Sequence, residues 1–293
     1  MNIIYKKMLE NKFSILQSTN SDSTTTANSS PNPYEKKLEK RIAIFDWDDT
    51  LFCTKYLETF QLNFTDIFSF KYSLEETNPY LLNQLKDLEN SIIQLFYEIV
   101  ECNFQIFIVS NADLKWIENC LVHFFFDLNT FIQDEKIKIY SAKNLFNGVS
   151  SCLCKIKCFK KVILDNFKDT NLILKILSIG DSKHEKKATL NLCKLNYYEK
   201  INVKFIQTIR SPSLRSIILQ LNYIQKNFLD FFQNENVVQK INIEMKGKNI
   251  FIKCNKEENE REKEEEGNNK KIIIKKSIQF NKKFLNQKRI FDL

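Results

Sequence analysis

The stretch Ile42-Ala43-Ile44-Phe45-Asp46-Trp47-Asp48-Asp49-Thr50-Leu51 decides how the chain is read. An apolar run of strand length ends without a polar break in three carboxylates and a threonine. Such a run fits a strand buried on both faces, as in a parallel sheet covered by helices. Ligands of such sheets bind just beyond the carboxyl ends of the strands. Asp46 and Asp48 are two residues apart, so an extended backbone directs both to one side. Two carboxylates 4 Å apart repel by about 1 kcal/mol in water and by roughly 4 kcal/mol at an effective dielectric of 20. The cluster therefore calls for positive charge, and an all-oxygen donor set suits a hard divalent cation such as magnesium.

The surrounding chain alternates in the manner such a sheet requires. Arg41 to Trp47 is the first strand, and residues 51–79 form an irregular, aromatic-rich flap. Pro79 opens a helical pattern in which Leu81, Leu85, Leu88, Ile92, Leu95 and Ile99 recur at threes and fours. Phe104 to Val109 is a second strand running into Ser110-Asn111, followed by a helix over Leu114 to Phe126 and a third strand over Lys136 to Ala142. Residues 143–154 read as a loop and Lys155 to Asn166 as a helix. A fourth strand, Leu172 to Ile179, ends in Gly180-Asp181-Ser182; a helix over Lys183 to Leu195 and a fifth strand over Val203 to Ile209 follow. Ser211-Pro212 has the form of an N-cap and first helical position for a last helix with an apolar face from Leu214 to Leu229. The alternation predicts an α/β fold, a Rossmann-like five-stranded parallel sheet between helices.

Composition adds boundaries rather than chemistry. The chain has 293 residues with a net charge of +8, and residues 267–293 hold eight Lys/Arg against the single acid Asp292. The basicity thus belongs to a tail, which offers a contact for nucleic acid or a weakly bound acidic partner. Residues 1–39 read as a disordered segment with a polar linker at 18–33, and 40–232 as the catalytic domain with 51–79 as its flap. Residues 233–293 read as a low-complexity charged tail with a small hairpin at 237–254. The 8 cysteines, several inside apolar segments, read as free thiols of a reducing compartment. Cys152, Cys154 and Cys158 lack the second Cys-x-x-Cys or His pair of a zinc site. No apolar stretch is long enough to span a bilayer, and Met1 to Gln17 lacks the apolar core of a secretory signal. The expected location is cytoplasmic or nuclear.

Polar residues end three of the strands: Asp46 and Asp48, Ser110, and Asp181. Parallel strands bring those ends to one edge of the sheet. Asp46-Trp47-Asp48-Asp49-Thr50, Phe107-Ile108-Val109-Ser110-Asn111, a lysine at the head of a helix, and Gly180-Asp181-Ser182 with Glu185 resemble, in order, the four motifs of haloacid dehalogenase superfamily phosphatases. Asp-Trp-Asp-Asp-Thr-Leu, Ser-Asn-Ala with Trp116, Ser141-Ala142 and Gly-Asp-Ser-x-x-Glu look like a branch found in protists and related eukaryotes. The likeness covers roughly residues 40–230. Two positions depart from it: Asp49 stands where the superfamily usually has Gly, and Ile156 where Pro commonly follows the lysine. Lys155, with apolar Phe159 four residues on, is the third-motif lysine, and Lys157 is the alternative.

The resemblance implies a magnesium-dependent phosphomonoester hydrolase with a minimal or absent cap domain. It assigns the nucleophile to Asp46, the acid/base to Asp48, a phosphoryl hydrogen bond to Ser110 and charge compensation to Lys155. Thr50 and Asn111 would contact the substrate. Asp46, the backbone carbonyl of Asp48, and Asp181 would hold magnesium, with Glu185 behind them holding a metal-bound water or orienting Lys155. Trp116 reads as core. The substrate would be a phosphorylated metabolite or macromolecule. The alternative is a catalytically weak scaffold that binds through the basic tail.

Overall fold

The structure is a computed structural model that describes the backbone of residues 38–60, 66–233, 239–246 and 249–256, and side chains through residue 232. Residues 1–37 of the expected N-terminal segment, its polar linker included, and the basic tail at 267–293 lie outside these residues. In chain order the elements are β1 (Glu39–Phe45), α1 (Thr54–Glu58), α2 (Ile67–Thr77), α3 (Pro79–Glu101), β2 (Phe104–Ser110), α4 (Leu114–His123), α5 (Phe126–Asp134) and β3 (Lys138–Ser141). Then follow α6 (Ala142–Leu145), α7 (Ser151–Asn166), β4 (Ile173–Gly180), α8 (Lys183–Leu192), β5 (Lys200–Gln207), α9 (Leu214–Lys226), α10 (Phe228–Gln233), β6 (Gln239–Lys246) and β7 (Asn249–Lys256).

Five parallel strands lie between helices in the order β3-β2-β1-β4-β5. The sheet continues past residue 232, because β6 adds in parallel to β5 and pairs antiparallel with β7. Strand periodicity divides the core. Ala43, Phe45, Ile106, Ile108, Leu177 and Ile179 face one layer, which α3, α4, α5, α9 and α10 cover. Ile42, Ile44, Phe107, Val109 and Ile176 face the other, against Cys158, Phe159 and Val162 of α7 and Ala188 and Leu192 of α8. Register places Phe45 opposite Ile108 on one side and Ile179 on the other, so β1, β2 and β4 end at one level.

Beyond the two added strands and small shifts in strand ends, the departures from the sequence reading lie in helices. The flap is not irregular: α1 and α2 occupy much of it. Helix α2 buries Ile67, Phe70 and Leu74, and Asp66 caps it by accepting from Ser69 N at 3.0 Å. Phe68 and Tyr72 point outward at 65% and 58% exposure, and these exposed aromatics obscure the period. The expected helix over 114–126 breaks at Phe124-Phe125, whose consecutive buried rings cannot share one helical stripe. Helix α6, capped by Ser141, lies inside the expected loop, and α7 starts at Ser151 rather than Lys155. The last helix is capped by Ser213, which accepts from Ser216 N at 3.2 Å, and not by Ser211, whose φ is +47°. It also ends at Asn227, where α10 begins anew.

Candidate active site

The site forms where β1, β2 and β4 end. Asp46 N donates to Ile179 O at 3.0 Å, which fixes the first acid between β1 and β4. The backbone then folds back, and Trp47 O accepts from Leu51 N and Phe52 N, each at 2.9 Å. Asp49 lies at φ +55°, the left-handed conformation for which glycine is the usual choice and which Asp tolerates better than most residues. This turn sends the three carboxylates to three different partners.

Asp46 Oδ1 accepts from Lys155 Nζ at 2.6 Å and from Trp47 N at 2.9 Å. Asp48 Oδ1 accepts from Thr54 Oγ1 at 2.5 Å and from Trp116 Nε1 at 3.1 Å. Asp49 pairs with Lys55 Nζ at 2.9 Å and accepts from Lys55 N at 3.0 Å, pinning the start of α1. The acid that departs from the resemblance therefore has its own counter-ion.

Lys155 is fully buried, and its ammonium also lies 3.0 Å from Glu185 Oε1. Lys157, the alternative, instead places its ammonium 5.8 Å from the centre of the Phe146 ring. Glu185 Oε2 accepts from Ser182 N at 3.0 Å and from the Ser182 hydroxyl, so one carboxylate both caps α8 and holds Lys155. Gly180 makes room for this arrangement, because a Cβ there would meet Glu185 Cγ at 2.5 Å.

Asp181 follows Gly180, and its carbonyl accepts from Arg210 Nε at 3.3 Å. Oxygen atoms of Asp46, Asp181 and Glu185 come within 4.8 Å of one another. Asp46, Asp48, Ser110, Asn111, Asp181 and Glu185 share the wall of a cleft of about 270 Å³. Ser110 Oγ accepts from Ala112 N at 3.1 Å. Thr50, expected at the substrate, is not part of that wall; its side chain is buried at 2% exposure.

Burial sets the electrostatics. It raises Asp46 strongly; Lys155 opposes the shift and the Glu185 carboxylate adds to it, leaving the group at about 8 in the cation-free site. Burial alone would also raise Glu185, but the Lys155 charge and the Ser182 hydrogen bond outweigh it and hold the group at about 2. Lys155 is raised, because the attraction of Asp46 and Glu185 exceeds the burial that would lower it. Lys155 thus stays charged and is shared by Asp46 and Glu185, two carboxylates against one ammonium. Burial and the charges of Glu185 and Asp49 lift Asp181 to about 6. Burial raises Asp48 as well, against the two hydrogen bonds it accepts.

A divalent cation fits this donor set. With all three acids ionised, Asp46, Asp181 and Glu185 carry three negative charges against the one on Lys155, and every donor is a hard oxygen. Asp46 and Asp181 are the better direct donors, because both Glu185 oxygens are engaged by Lys155 and Ser182. The sequence reading missed Thr54, Lys55 and the polar contact of Trp116. A buried indole N–H usually finds an acceptor, but the same signal applies to Trp47, whose buried Nε1 has no hydrogen-bond partner among the described residues, so it did not single out Trp116.

No protein-family model matches the chain, and no curated protein matches it in sequence. The parallel α/β fold and the buried acidic cluster are compatible with a metal-dependent hydrolase.

Proposed function

We propose that the chain is a phosphatase of the haloacid dehalogenase superfamily, a magnesium-dependent phosphomonoester hydrolase acting through an aspartyl-phosphate on Asp46. The observation that carries this reading is the convergence of Asp46, Lys155, Asp181 and Glu185 from separate elements, with Lys155 Nζ 2.6 Å from Asp46. Asp46 and Asp181, with the Asp48 carbonyl, would hold magnesium, which supplies charge neutralisation for an incoming phosphate.

Asp46 attacks phosphorus, the ester P–O bond breaks, and the leaving oxygen takes its proton from the Asp48 carboxyl. Asp48, now ionised, removes a proton from water as that water attacks phosphorus. The Asp46–phosphorus bond breaks, releasing phosphate and regenerating both carboxyl groups in their starting forms. Lys155 offsets charge beside the nucleophile, and Ser110 donates to a phosphoryl oxygen. Asn111, on the same cleft wall, contacts the substrate.

Purified protein should release phosphate from an aryl phosphate only when magnesium is supplied. Asp46→Asn should lower the rate by about 10⁴-fold or more, the scale on which loss of a nucleophile shows. Equal inactivity of wild type and variant over a broad panel of phosphomonoesters would overturn the reading. The scaffold alternative binds through the basic tail, which lies outside the described residues, and it gains weight if the acid that departs from the resemblance is unpaired. Asp49 has a partner in Lys55, and Lys155 lies beside Asp46, which favours the catalytic reading of this site. Among the described residues no helix is long and apolar enough to cross a membrane.

A further inference from the structure

Trp116 lies on α4, 68 residues from Asp48, on the buried apolar face of that helix. Its ring meets Phe52 edge-on at 5.7 Å, and Phe52 in turn stacks on Trp47 at 5.9 Å. That packing fixes the indole plane. The fixed plane aims Nε1 at Asp48 Oδ1, 3.1 Å away, and the side chain is only 8% exposed. Thr54 Oγ1 donates to the same oxygen at 2.5 Å. Both donors fall on Oδ1, and among the described residues no hydrogen bond reaches Oδ2, while Asp48 lines the cleft.

Two donors on one oxygen, each anchored in a different element, hold a carboxylate by one side. From this geometry we infer that Trp116 is a positioning residue for Asp48, fixing its rotamer so that the unbonded oxygen is presented to the leaving group. The inference rests on the phosphatase reading above. Thr54 belongs to α1, which opens the flap, and Trp116 to the helix that follows β2. The acid is thereby keyed to two layers of the site at once. Neither donor can hand a proton to the substrate itself while bonded to Oδ1. Their effect is on where the Asp48 proton lies, and misplacement of a catalytic group by about 1 Å costs on the order of 10²-fold.

A packing role and a positioning role separate by leaving group. An alkyl phosphomonoester needs a proton on its departing oxygen, whereas dinitrophenyl phosphate departs without one. With magnesium present, first-turnover rates of the full-length wild type, Trp116→Phe, Thr54→Val and Thr54→Ser should be measured on both. Trp116→Phe and Thr54→Val should lose roughly 10- to 100-fold on the alkyl ester. Their dinitrophenolate burst should stay within about twofold of wild type, KM should be unchanged, and Thr54→Ser should recover the alkyl rate.

Equal losses on both esters, or no loss on the alkyl ester, would overturn the inference. If Trp116→Phe melts too low to assay, Thr54→Val must still show the split, and its failure to do so overturns the shared clamp. A wild type that gives no burst, and matches Asp46→Asn, sinks the phosphatase reading itself. That result is distinct from an active enzyme whose variants show no split.

Discussion

The two ends of the central strands both carry an unbalanced set of charges, and they manage it in opposite ways. At the amino end, Glu39 pairs with Arg41 at 2.9 Å and Lys175 at 2.7 Å. Arg41, Lys175 and Lys204 surround the Phe232 ring at 5.5 to 5.7 Å from its centre, and Lys204 also donates to the carbonyls of Phe231 and Phe232. The side chains of Glu39, Arg41 and Lys175 are 25–40% exposed, so water, a π face and helix-end carbonyls absorb the cationic excess. At the carboxyl end, Asp46, Asp48, Asp49, Glu58, Asp181 and Glu185 outnumber Lys55, Lys155 and Arg210, and Asp46, Asp49, Asp181, Glu185 and Lys155 of these are buried. Solvent cannot screen that excess. A surplus that stays wet is an ordinary surface; a surplus of the opposite sign held dry in a fixed arrangement is a place built for a cation and an anionic ligand.

Removing charge at the buried end should cost most. Lys155→Met leaves Asp46 and Glu185 without their shared ammonium and should lower stability by about 3–5 kcal/mol in the absence of divalent ions. Urea melts check this, and added magnesium should restore part of the loss by supplying replacement charge. A variant as stable as wild type would erase the distinction between the two ends.

The next effect is on pH. The ordinary carboxyl value of 3.8 for Asp46 is raised to about 8, so the folded, cation-free protein binds a proton there that the unfolded chain has released. Stability from this group is present below 3.8 and is lost as pH rises toward 8. A bound cation reverses the preference by competing with that proton. Apparent magnesium affinity should therefore climb by up to about tenfold per pH unit between 6 and 8, more steeply below 6 where Asp181 also binds a proton, and flatten above 8, as calorimetry with proton-release measurement can read. A flat profile would mean that Asp46 is already ionised without the ion.

Gly180→Ala should cost about 1–3 kcal/mol, because the added methyl meets the stem of Glu185 rather than a mobile tip. A crystal structure of the variant should show Glu185 displaced from Lys155. The smallest effect belongs to the amino end. Glu39→Gln should change stability by only about 0–1 kcal/mol, although it breaks two ion pairs. A larger loss there would show that the two ends differ less than their exposures indicate.

The parallel sheet was legible because Ile42 to Phe45, Phe104 to Val109 and Leu172 to Ile179 are apolar on both faces, a pattern with few other readings. The place of Lys155 beside Asp46 was legible only through the resemblance, whose third-motif lysine has an apolar residue four positions on, here the buried Phe159. What sequence could not give were contacts set by the turn. An aspartate in the left-handed conformation redirects its side chain to Lys55, and nothing local announces that φ. Trp116 read as core because its ring is core; only its single N–H is polar, and its acceptor is remote in sequence. Ser211 and Ser213 offer the same cap chemistry two residues apart, and tertiary packing of Leu214 and Ile217 chose the later one.

The pair at the heart of the buried end, Lys155 and Asp46, joins residues 109 apart. Contacts of that reach form only after long loops close, and parallel pairing is slow for the same reason. The three-acid cluster therefore has no complete local precursor: a half-folded chain keeps Asp46 apart from Asp181 and Glu185. Cation affinity thus reports the assembled sheet, since the donors meet only where β1 and β4 end side by side.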